Sequence, residues 1–84
     1  MIGAVSELKG MGDEAKGTLR DKIMRSRGGK EYLFKDAKGS VTVEIGDNRW
    51  RGQKVDHDDI VEIHGELDKD WSKMEIDVKR LIKQ

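Results

Sequence analysis

Apolar and polar positions alternate most clearly in the last third of the chain. Residues 61–67 and 72–78 each alternate hydrophobic with polar side chains. A period of two predicts a strand with one face in a core and the other in water. The segment between them, Asp68-Lys69-Asp70-Trp71, is polar apart from its tryptophan. The pattern therefore predicts an antiparallel hairpin around a short turn.

The same alternation predicts a register and an outer face for this hairpin. That face gathers four carboxylates and one imidazole, which are ordinary ligands for a cation or a basic partner. Polar residues must also face water on any one-sided sheet, so both interpretations stay open, and the spacing matches no closed set of metal ligands. The expected inward pairs are Leu67 with Met74, Gly65 with Ile76 and Ile63 with Val78, and the outward pairs are Glu66 with Glu75, His64 with Asp77 and Glu62 with Lys79.

An earlier strand is predicted over residues 18–24, with Leu19 and Ile23 facing inward. Asp21 has the same parity as these two residues. A charged side chain at an inward position indicates a bulge or a sharp bend in the strand at that point.

Residues 32–35 and 40–45 predict a second hairpin around a four-residue turn that ends in Gly39. Pairing the two strands across that turn sets Phe34 opposite Val41 and Tyr32 opposite Val43. Both aromatic rings then point into the core, whereas a slip of one residue would bury Leu33 instead.

Helical signals are weak and short. Ser6 can cap a helix of about two turns over residues 5–12. Residues 46–59 form a connector, in which Asp47 can cap a single turn. Trp50 lies in this connector between two arginines. That arrangement suits either contact with phosphate groups or, as we expect here, a ring packed on the core with both arginines in water.

The chain has 84 residues, enough for one domain, of which 35% are hydrophobic and 40% charged. Five short strands with thin alternating faces predict an all-β fold, a small closed barrel over residues 16–83, because closure removes exposed edges. Residues 1–4 are expected to fray. Without cysteine, the barrel has no disulfide to support it.

Charge is balanced overall but divided along the chain. Lysine and arginine total 17, as do aspartate and glutamate, yet residues 1–39 are net basic and residues 40–84 net acidic. A dedicated nucleic-acid binder is usually basic, so any binding to single-stranded DNA should be weak, salt-sensitive and confined to residues 20–30. The chain contains no apolar run of the roughly 20 residues that span a membrane, so membrane insertion is not expected.

Several ordered motifs resemble the bacterial OB-fold (BOF) family of small stress-tolerance proteins of the YgiW/YdeI type. The most specific is Asp68-Lys69-Asp70-Trp71 followed by Glu75-Ile76-Asp77-Val78, and the resemblance runs from about residue 5 to residue 83. The other motifs are Thr18-Leu19-Arg20, Tyr32-x-Phe34-Lys35-Asp36-x-x-Gly39, Val43-x-Ile45, Arg49-Trp50-x-Gly52 and Asp59-x-Val61-Glu62-Ile63-x-Gly65-Glu66.

The resemblance implies a five-stranded OB barrel with a short N-terminal helix and a non-enzymatic protein without a cofactor. It also implies a periplasmic location and a role in tolerance of envelope, oxidative, acid or cationic stress. Two features depart from the family. Asp21 stands where we would expect a glycine, and no signal peptide is visible, so a chain that truly began at residue 1 would be cytoplasmic.

OB proteins hold ligands with the loops between strands one and two and between strands four and five. In this chain the first of these is basic and the second mostly acidic, so together they suit a small charged ligand or an envelope protein. Trp71 is either a stacking surface there or a lid over the barrel end. Single-stranded nucleic-acid binding is the alternative function, and we expect a monomer. The candidate binding residues are Arg25, Arg27, Lys30, Asp68, Lys69, Asp70 and Trp71, and the secondary acidic face is Glu62, His64, Glu66, Glu75 and Asp77.

Overall fold

The computed structural model describes residues 3–84, which form five strands and two short 3₁₀ helices. Residues 1 and 2, half of the segment expected to fray, lie outside the described residues. The strands are β1 (Lys16–Gly28), β2 (Glu31–Asp36), β3 (Gly39–Glu44), β4 (Ile60–Lys69) and β5 (Met74–Lys83), and the 3₁₀ helices span Val5–Gly10 and Asp47–Arg49.

The five strands close into one barrel in the order β1-β2-β3-β5-β4. Neighbouring strands are antiparallel except β3 and β5, which run parallel. Strand β1 is long enough to pair with two strands. Its first half pairs with β4 and its second half with β2, and Lys22 has a partner in both strands. The predicted all-β closed barrel is confirmed.

The bend in β1 lies beyond the position predicted for it. Asp21 stays in register opposite Val61. The ladder to β2 shifts instead between Ile23 and Arg25, which leaves the exposed Met24 as the additional residue. A bulge adds local twist, and here it falls just after β1 passes from one neighbour to the other. The bulge predicted at Asp21 was therefore wrong in position.

The second hairpin has the predicted register. Phe34 lies opposite Val41 and Tyr32 opposite Val43. Phe34 and Val43 are fully buried, whereas Tyr32 is half-buried. The predicted inward direction of the two aromatic residues is confirmed.

The last hairpin has a different register from the predicted one. Leu67 pairs with Ile76 instead of Met74, because the turn occupies residues 70–73 and Lys69 pairs with Met74. A bulge then leaves Lys79 without a partner between the paired positions of β5. Between the turn and the bulge the register is shifted by two residues, and beyond the bulge by three. A two-residue shift keeps the hydrophobic face inward, and the bulge absorbs the additional residue, so the faces were right but each predicted pair was wrong. The observed pairs include Gly65 with Val78, Ile63 with Leu81, His64 with Arg80, Glu66 with Asp77 and Glu62 with Ile82.

The N-terminal helix is a 3₁₀ helix that begins one residue before the predicted cap. The carboxylate of Glu7 accepts a hydrogen bond from the Ala4 amide at 2.8 Å, and Asp36 Oδ2 accepts one from the Val5 amide at 2.7 Å. The Gly3 amide donates to the Thr18 carbonyl at 2.9 Å. Ser6 therefore does not cap the helix, and Gly3 is hydrogen-bonded to β1.

The core combines the inward residues of all five strands with two residues of the N-terminal helix. Trp50 packs against it from the connector, and its ring meets Tyr32 edge to face at 5.3 Å. The predicted packing role of Trp50 is confirmed. The buried hydrophobic residues are Val5, Leu8, Leu19, Ile23, Phe34, Val41, Val43, Ile45, Val61, Ile63, Leu67, Ile76, Val78 and Leu81.

Among residues 3–84, no helix has the length and the apolar character that crossing a bilayer requires.

Candidate ligand-binding face

The β4–β5 turn, residues 70–73, has a preformed backbone. Asp70 Oδ1 accepts hydrogen bonds from the Ser72 amide at 2.8 Å, the Lys73 amide at 2.9 Å and the Ser72 hydroxyl at 2.8 Å. The hydrogen bonds from Ser72 and Lys73 lower the pKa of Asp70. Trp71 lies at the tip of this turn with 97% of its surface exposed. The lid interpretation of Trp71 is therefore wrong, because the ring covers nothing.

Residues 25–30, predicted as the β1–β2 loop, are mostly strand, because β1 continues to Gly28 and only Gly29 and Lys30 connect it to β2. The three cationic side chains of this segment, for which we keep the name β1–β2 loop, face solvent. Gly28 and Gly29 have φ of 101° and 57°, in the left-handed region that favours glycine. The Lys30 carbonyl accepts a hydrogen bond from the Ile45 amide at 2.8 Å, which ties the loop to the end of β3.

The two loops do not touch through any described polar contact. Within residues 3–84, Arg25, Arg27 and Lys30 form no side-chain hydrogen bond or ion pair with the β4–β5 turn. The outer face of β2, β3, β5 and β4 lies between them, since Glu31 begins β2 just after the loop and Asp68 lies one residue before the end of β4 at the turn. Their direct cooperation stays a prediction, and a ligand that used both would have to cross this face.

Six carboxylates occupy that outer face in two adjacent rows, and we call this group the acidic strip. Glu31 pairs with Glu44, Glu44 with Asp77, and Asp77 with Glu66, so one row crosses four strands. In the next row, Asp68 pairs with Glu75. The acidic strip is Glu31, Glu44, Glu66, Asp68, Glu75 and Asp77.

Glu75 is the most enclosed member of the acidic strip. Only 7% of the residue is exposed. Its carboxylate accepts no hydrogen bond from the described residues, and its ion pair with Lys73 Nζ is long, at 4.0 Å. Burial raises the pKa of Glu75, and the nearby charges of Glu31 and Glu44 act in the same direction, against the opposing effect of Lys73.

His64 and Glu62 belong to a separate polar chain on the outer side of β1 and β4. His64 Nδ1 lies 3.1 Å from Thr18 Oγ1, and its Nε2 lies 2.9 Å from Glu62 Oε2. Arg20 Nη2 donates to Glu62 Oε1 at 2.7 Å. The hydrogen bond from Arg20, followed by that from His64, lowers the pKa of Glu62. The predicted pair of His64 with Asp77 is wrong, because the two-residue shift at the turn and the bulge at Lys79 together place Arg80 opposite His64.

The secondary acidic face therefore divides in two. Glu66, Glu75 and Asp77 lie in the acidic strip, while Glu62 and His64 lie in the polar chain. Glu31 and Glu44 were not among the predicted residues. Alternation places both residues on the polar face of their strands. Only the parallel pairing of β3 with β5 brings that face next to Asp77.

The connector contains one further group of chemically suggestive residues. Asp56, His57 and Asp58 are exposed, and one ligand atom of each lies within 4.8 Å of the others. His57 Nδ1 is 2.9 Å from Asp56 Oδ1 and forms an exposed ion pair when protonated. Exposed acidic turns of this kind are common without a metal ion, so no site is assigned to it.

The geometry first defines the class of protein. A closed five-stranded barrel, whose long bent first strand pairs with both the second and the fourth, is an OB fold, a fold whose barrel-end loops and neighbouring strands bind ligands. Telomere capping protein Ten1 from Saccharomyces pombe superposes with a TM-score of 0.76 over 98% of this chain and 78% of that chain, at 13% identity. At that identity the likeness concerns the fold alone.

The sequence then places the chain within a particular family. Residues 1–83 match the bacterial OB fold (BOF) protein family, to which this chain belongs. Protein YgiW of Escherichia coli K12 is 43% identical over 98% of the chain, and the chain spans 63% of the length of that relative. The solved structure of E. coli ygiW superposes with a TM-score of 0.98 at 42% identity, covering 100% of this chain and 90% of that one. The calcium-regulated OB-fold protein CarO of Pseudomonas aeruginosa is 34% identical over 80% of this chain and 58% of its own length.

Proposed function

We propose that this protein is a non-enzymatic binding module of the bacterial envelope, which takes part in stress tolerance from the periplasm. Its ligand is a small charged molecule or a charged segment of an envelope protein. It binds on the outer face between the β1–β2 loop and the β4–β5 turn.

The observation that carries this proposal is the presentation of Trp71. An indole with 97% exposure makes no packing contribution, yet the turn beneath it is held by three hydrogen bonds to one carboxylate. A preformed turn loses little conformational entropy when a ligand binds. Tryptophan is also the residue most enriched, with tyrosine and arginine, where interfaces gain their binding energy. A rigidly displayed tryptophan beside a charged face supports a binding role.

The nucleic-acid alternative receives less support. Single-strand binders stack bases on aromatic side chains in a basic groove. Here Phe34 and Tyr32 point inward, and the outward positions of β2 and β3 include Leu33, Thr42 and Glu44. The acidic strip next to them would repel phosphate groups. Fluorescence anisotropy with a labelled dT oligonucleotide at physiological salt tests this, and submicromolar affinity would favour the alternative.

The proposed function is tested in a bacterium that lacks its own copy of the gene. The full-length protein, the Trp71→Ala variant and a Lys38→Ala control are produced from plasmids, and survival is measured after acid, peroxide and cationic-peptide challenge. Lys38 is exposed in the β2–β3 turn, so the control removes an equally accessible side chain away from the β4–β5 turn. Cell fractionation of the same strains tests the periplasmic location.

We expect the wild type and the Lys38→Ala control to restore survival and Trp71→Ala to fail. Because Trp71 packs against nothing, the variant should unfold at the same temperature as the wild type, and immunoblotting checks that it accumulates equally. Full protection by Trp71→Ala would contradict the binding role of this residue. Failure of the wild type to protect under every challenge would contradict the stress-tolerance function.

A further inference from the structure

The acidic strip costs the barrel stability because its members face one another. Like charges directly opposite each other on neighbouring strands are destabilising. Four such pairs occur: Glu31 with Glu44, Glu44 with Asp77, Asp77 with Glu66, and Asp68 with Glu75. A solvated outer face requires polar residues but does not require one sign of charge, so the need for solubility alone leaves this arrangement without an explanation.

The fold does little to neutralise these charges. Within the described residues, Glu31, Glu44, Glu66 and Asp68 form no side-chain hydrogen bond or ion pair. Asp77 binds Lys79 at 2.8 Å, and both side chains are about half exposed. Lys16 lies opposite Glu66 across the β1–β4 ladder, although no ion pair forms between them. Cationic groups for Glu31, Glu44 and Asp68 must therefore come from solvent or from a ligand.

The burial of Glu75 is a second observation, independent of the number of negative charges in the acidic strip. The Glu75 side chain is 91% buried, and its carboxylate oxygens keep only limited contact with water. A buried carboxylate is normally paired and hydrogen-bonded, yet this one has only the 4.0 Å contact with Lys73. An ammonium or guanidinium group placed between Glu75 and its neighbours would replace this restricted contact with water by charged hydrogen bonds.

The spacing of the carboxylates favours several separate cationic groups over one metal ion. Neighbouring strands lie about 4.8 Å apart, so the row from Glu31 to Glu66 spans roughly 14 Å. Among the described residues, the only group of three potential ligands that converges within 4.8 Å is the connector group Asp56, His57 and Asp58, outside the acidic strip. An extended peptide advances about 3.3 Å per residue, so cationic side chains at every second position match charges distributed over this length.

We infer that the acidic strip, with Trp71 at its edge, binds a chain of amines or guanidinium groups, as in a lysine- or arginine-rich peptide segment. This inference rests on the proposed function and specifies the ligand class for the same face. Trp71 can add a cation–π contact to the ligand, because its indole faces are free. A polyamine presents the same chemistry without a peptide backbone, so the experiment includes both.

The test is an NMR titration of the ¹⁵N-labelled 84-residue chain with pentalysine, spermine, pentaglutamate and magnesium chloride, at low salt and at physiological salt. We expect pentalysine to shift the amide signals of β3 and β5 around Glu44, Glu75 and Asp77, and pentaglutamate and magnesium to leave them unchanged. Equal shifts with pentalysine and spermine identify the amines alone as the recognised feature. A stronger response to pentalysine indicates that the peptide backbone contributes.

A pair of double variants separates the site from simple net charge. Glu44→Gln with Glu75→Gln removes two carboxylates from the acidic strip, and Asp56→Asn with Asp58→Asn removes two from the connector. Losing two charged contacts should weaken pentalysine binding about tenfold in the first variant, with less than about a twofold change in the second. Equal weakening in both, or shifts that map elsewhere, would overturn the inference.

The same variants keep this inference distinct from the proposed function. If Trp71→Ala abolishes stress protection but pentalysine and spermine do not bind, the binding module stands and its cationic ligand is excluded. If pentalysine binds on the acidic strip and Trp71→Ala still protects, the ligand class stands and the proposed role of Trp71 fails. Removing the glutamates should not unfold the barrel, because it relieves like-charge repulsion.

Discussion

Gly65 lies at the bulge of the last hairpin, where β4 and β5 approach each other closely. A Cβ atom at this position would lie 2.6 Å from Ile76 Cγ2 and 2.7 Å from the Asp77 carbonyl oxygen. Its neighbour across the β1–β4 ladder, Gly17, has open space at the corresponding position. Close packing therefore requires a glycine at position 65 but leaves room for a side chain at position 17. The sequence alone does not distinguish the two positions.

We predict that Gly65→Ala destabilises the barrel by about 1–3 kcal/mol, because the Asp77 backbone must move to admit the methyl group. The matched control Gly17→Ala should change the free energy of unfolding by less than about 0.5 kcal/mol. Urea denaturation of the three proteins measures both effects. Similar free energies for Gly65→Ala and Gly17→Ala would show that β4 and β5 do not approach this closely.

At the scale of the strand pair, β1 and β4 are joined on their outer side by the polar chain of Thr18, His64, Glu62 and Arg20. This polar chain forms because Thr18 lies opposite His64 and Arg20 lies opposite Glu62 in the antiparallel ladder. Its members are at least partly exposed, so the individual contacts contribute little to stability. Their effect should be visible in the titration of Glu62 before it is visible in unfolding.

We predict that Arg20→Met raises the pKa of Glu62 towards its ordinary value, because the guanidinium group is the largest cause of its lowering. A carboxylate with a lowered folded-state pKa contributes stability that is present above its unfolded pKa and is lost as the pH falls through the folded value. The variant should therefore lose slightly less stability on acidification than the wild type does. Side-chain carboxyl ¹³C NMR across an acid titration measures the pKa directly.

A suitable control for this titration is Lys22→Met, which removes a cation from the same strand. Lys22 pairs with Ile60 and Lys35 and forms no ion pair with Glu62. An unchanged Glu62 titration in Arg20→Met, or the same shift in both variants, would show that the ion pair does not control this carboxyl group.

At the scale of the whole molecule, the acidic strip exists only because the barrel closes through the parallel pairing of β3 with β5. Glu31 and Glu44 come from the middle of the chain, and Glu66, Asp68, Glu75 and Asp77 come from its end. The chain has no net charge, so the strip is a local concentration of negative charge on a neutral protein. That separation of charge gives the molecule one face suited to cations.

We predict that Glu75→Gln raises the melting temperature at pH 7. Burial holds the folded-state pKa of Glu75 above its ordinary value of 4.5. At pH values between the ordinary pKa and the raised folded-state pKa, the folded chain keeps a proton that the unfolded chain has released. The contribution of Glu75 to stability therefore declines as the pH rises through that interval. The advantage of the variant should disappear below about pH 4, where Glu75 is protonated in both states.

Differential scanning calorimetry between pH 3 and pH 8 (roughly the range in which carboxylates titrate and are then fully charged) measures this difference. Asp58→Asn is the control, since it makes the same change of net charge at an exposed position. A melting temperature of Glu75→Gln at or below that of the wild type at pH 7 would mean that Glu75 already has an adequate cationic partner in the free protein.

Much of the fold followed from alternation. The inward residues of the second hairpin were predicted in the correct register, because the four-residue turn before Ser40 leaves one pairing that buries Phe34. The same method failed for the last hairpin, since the end of its turn and the bulge at Lys79 are not visible in the alternation of hydrophobic residues. A two-residue shift preserves which face is buried, so hydrophobicity cannot detect it.

The candidate site was less predictable for the same reason. Trp71 and Asp70 were recognised because they interrupt the alternating pattern and are local in sequence. The exposure of Trp71 was left open, because a turn residue can fold back onto the barrel or point away from it, and local sequence does not decide between these. The neighbours of Glu75 come from three other strands, so no local signal could have found them.

The sequence by itself determined the number of strands, the face that each strand buries and the membership of the bacterial OB fold family, because these depend on local alternation and on ordered motifs. The tertiary structure alone decided which polar residues became neighbours. That choice depends on the order of strands in the closed barrel and on single-residue bulges, which change polar pairing with little effect on the burial of the core. Hydrophobic burial specifies the inside of this barrel, whereas its charged outer face follows from closure.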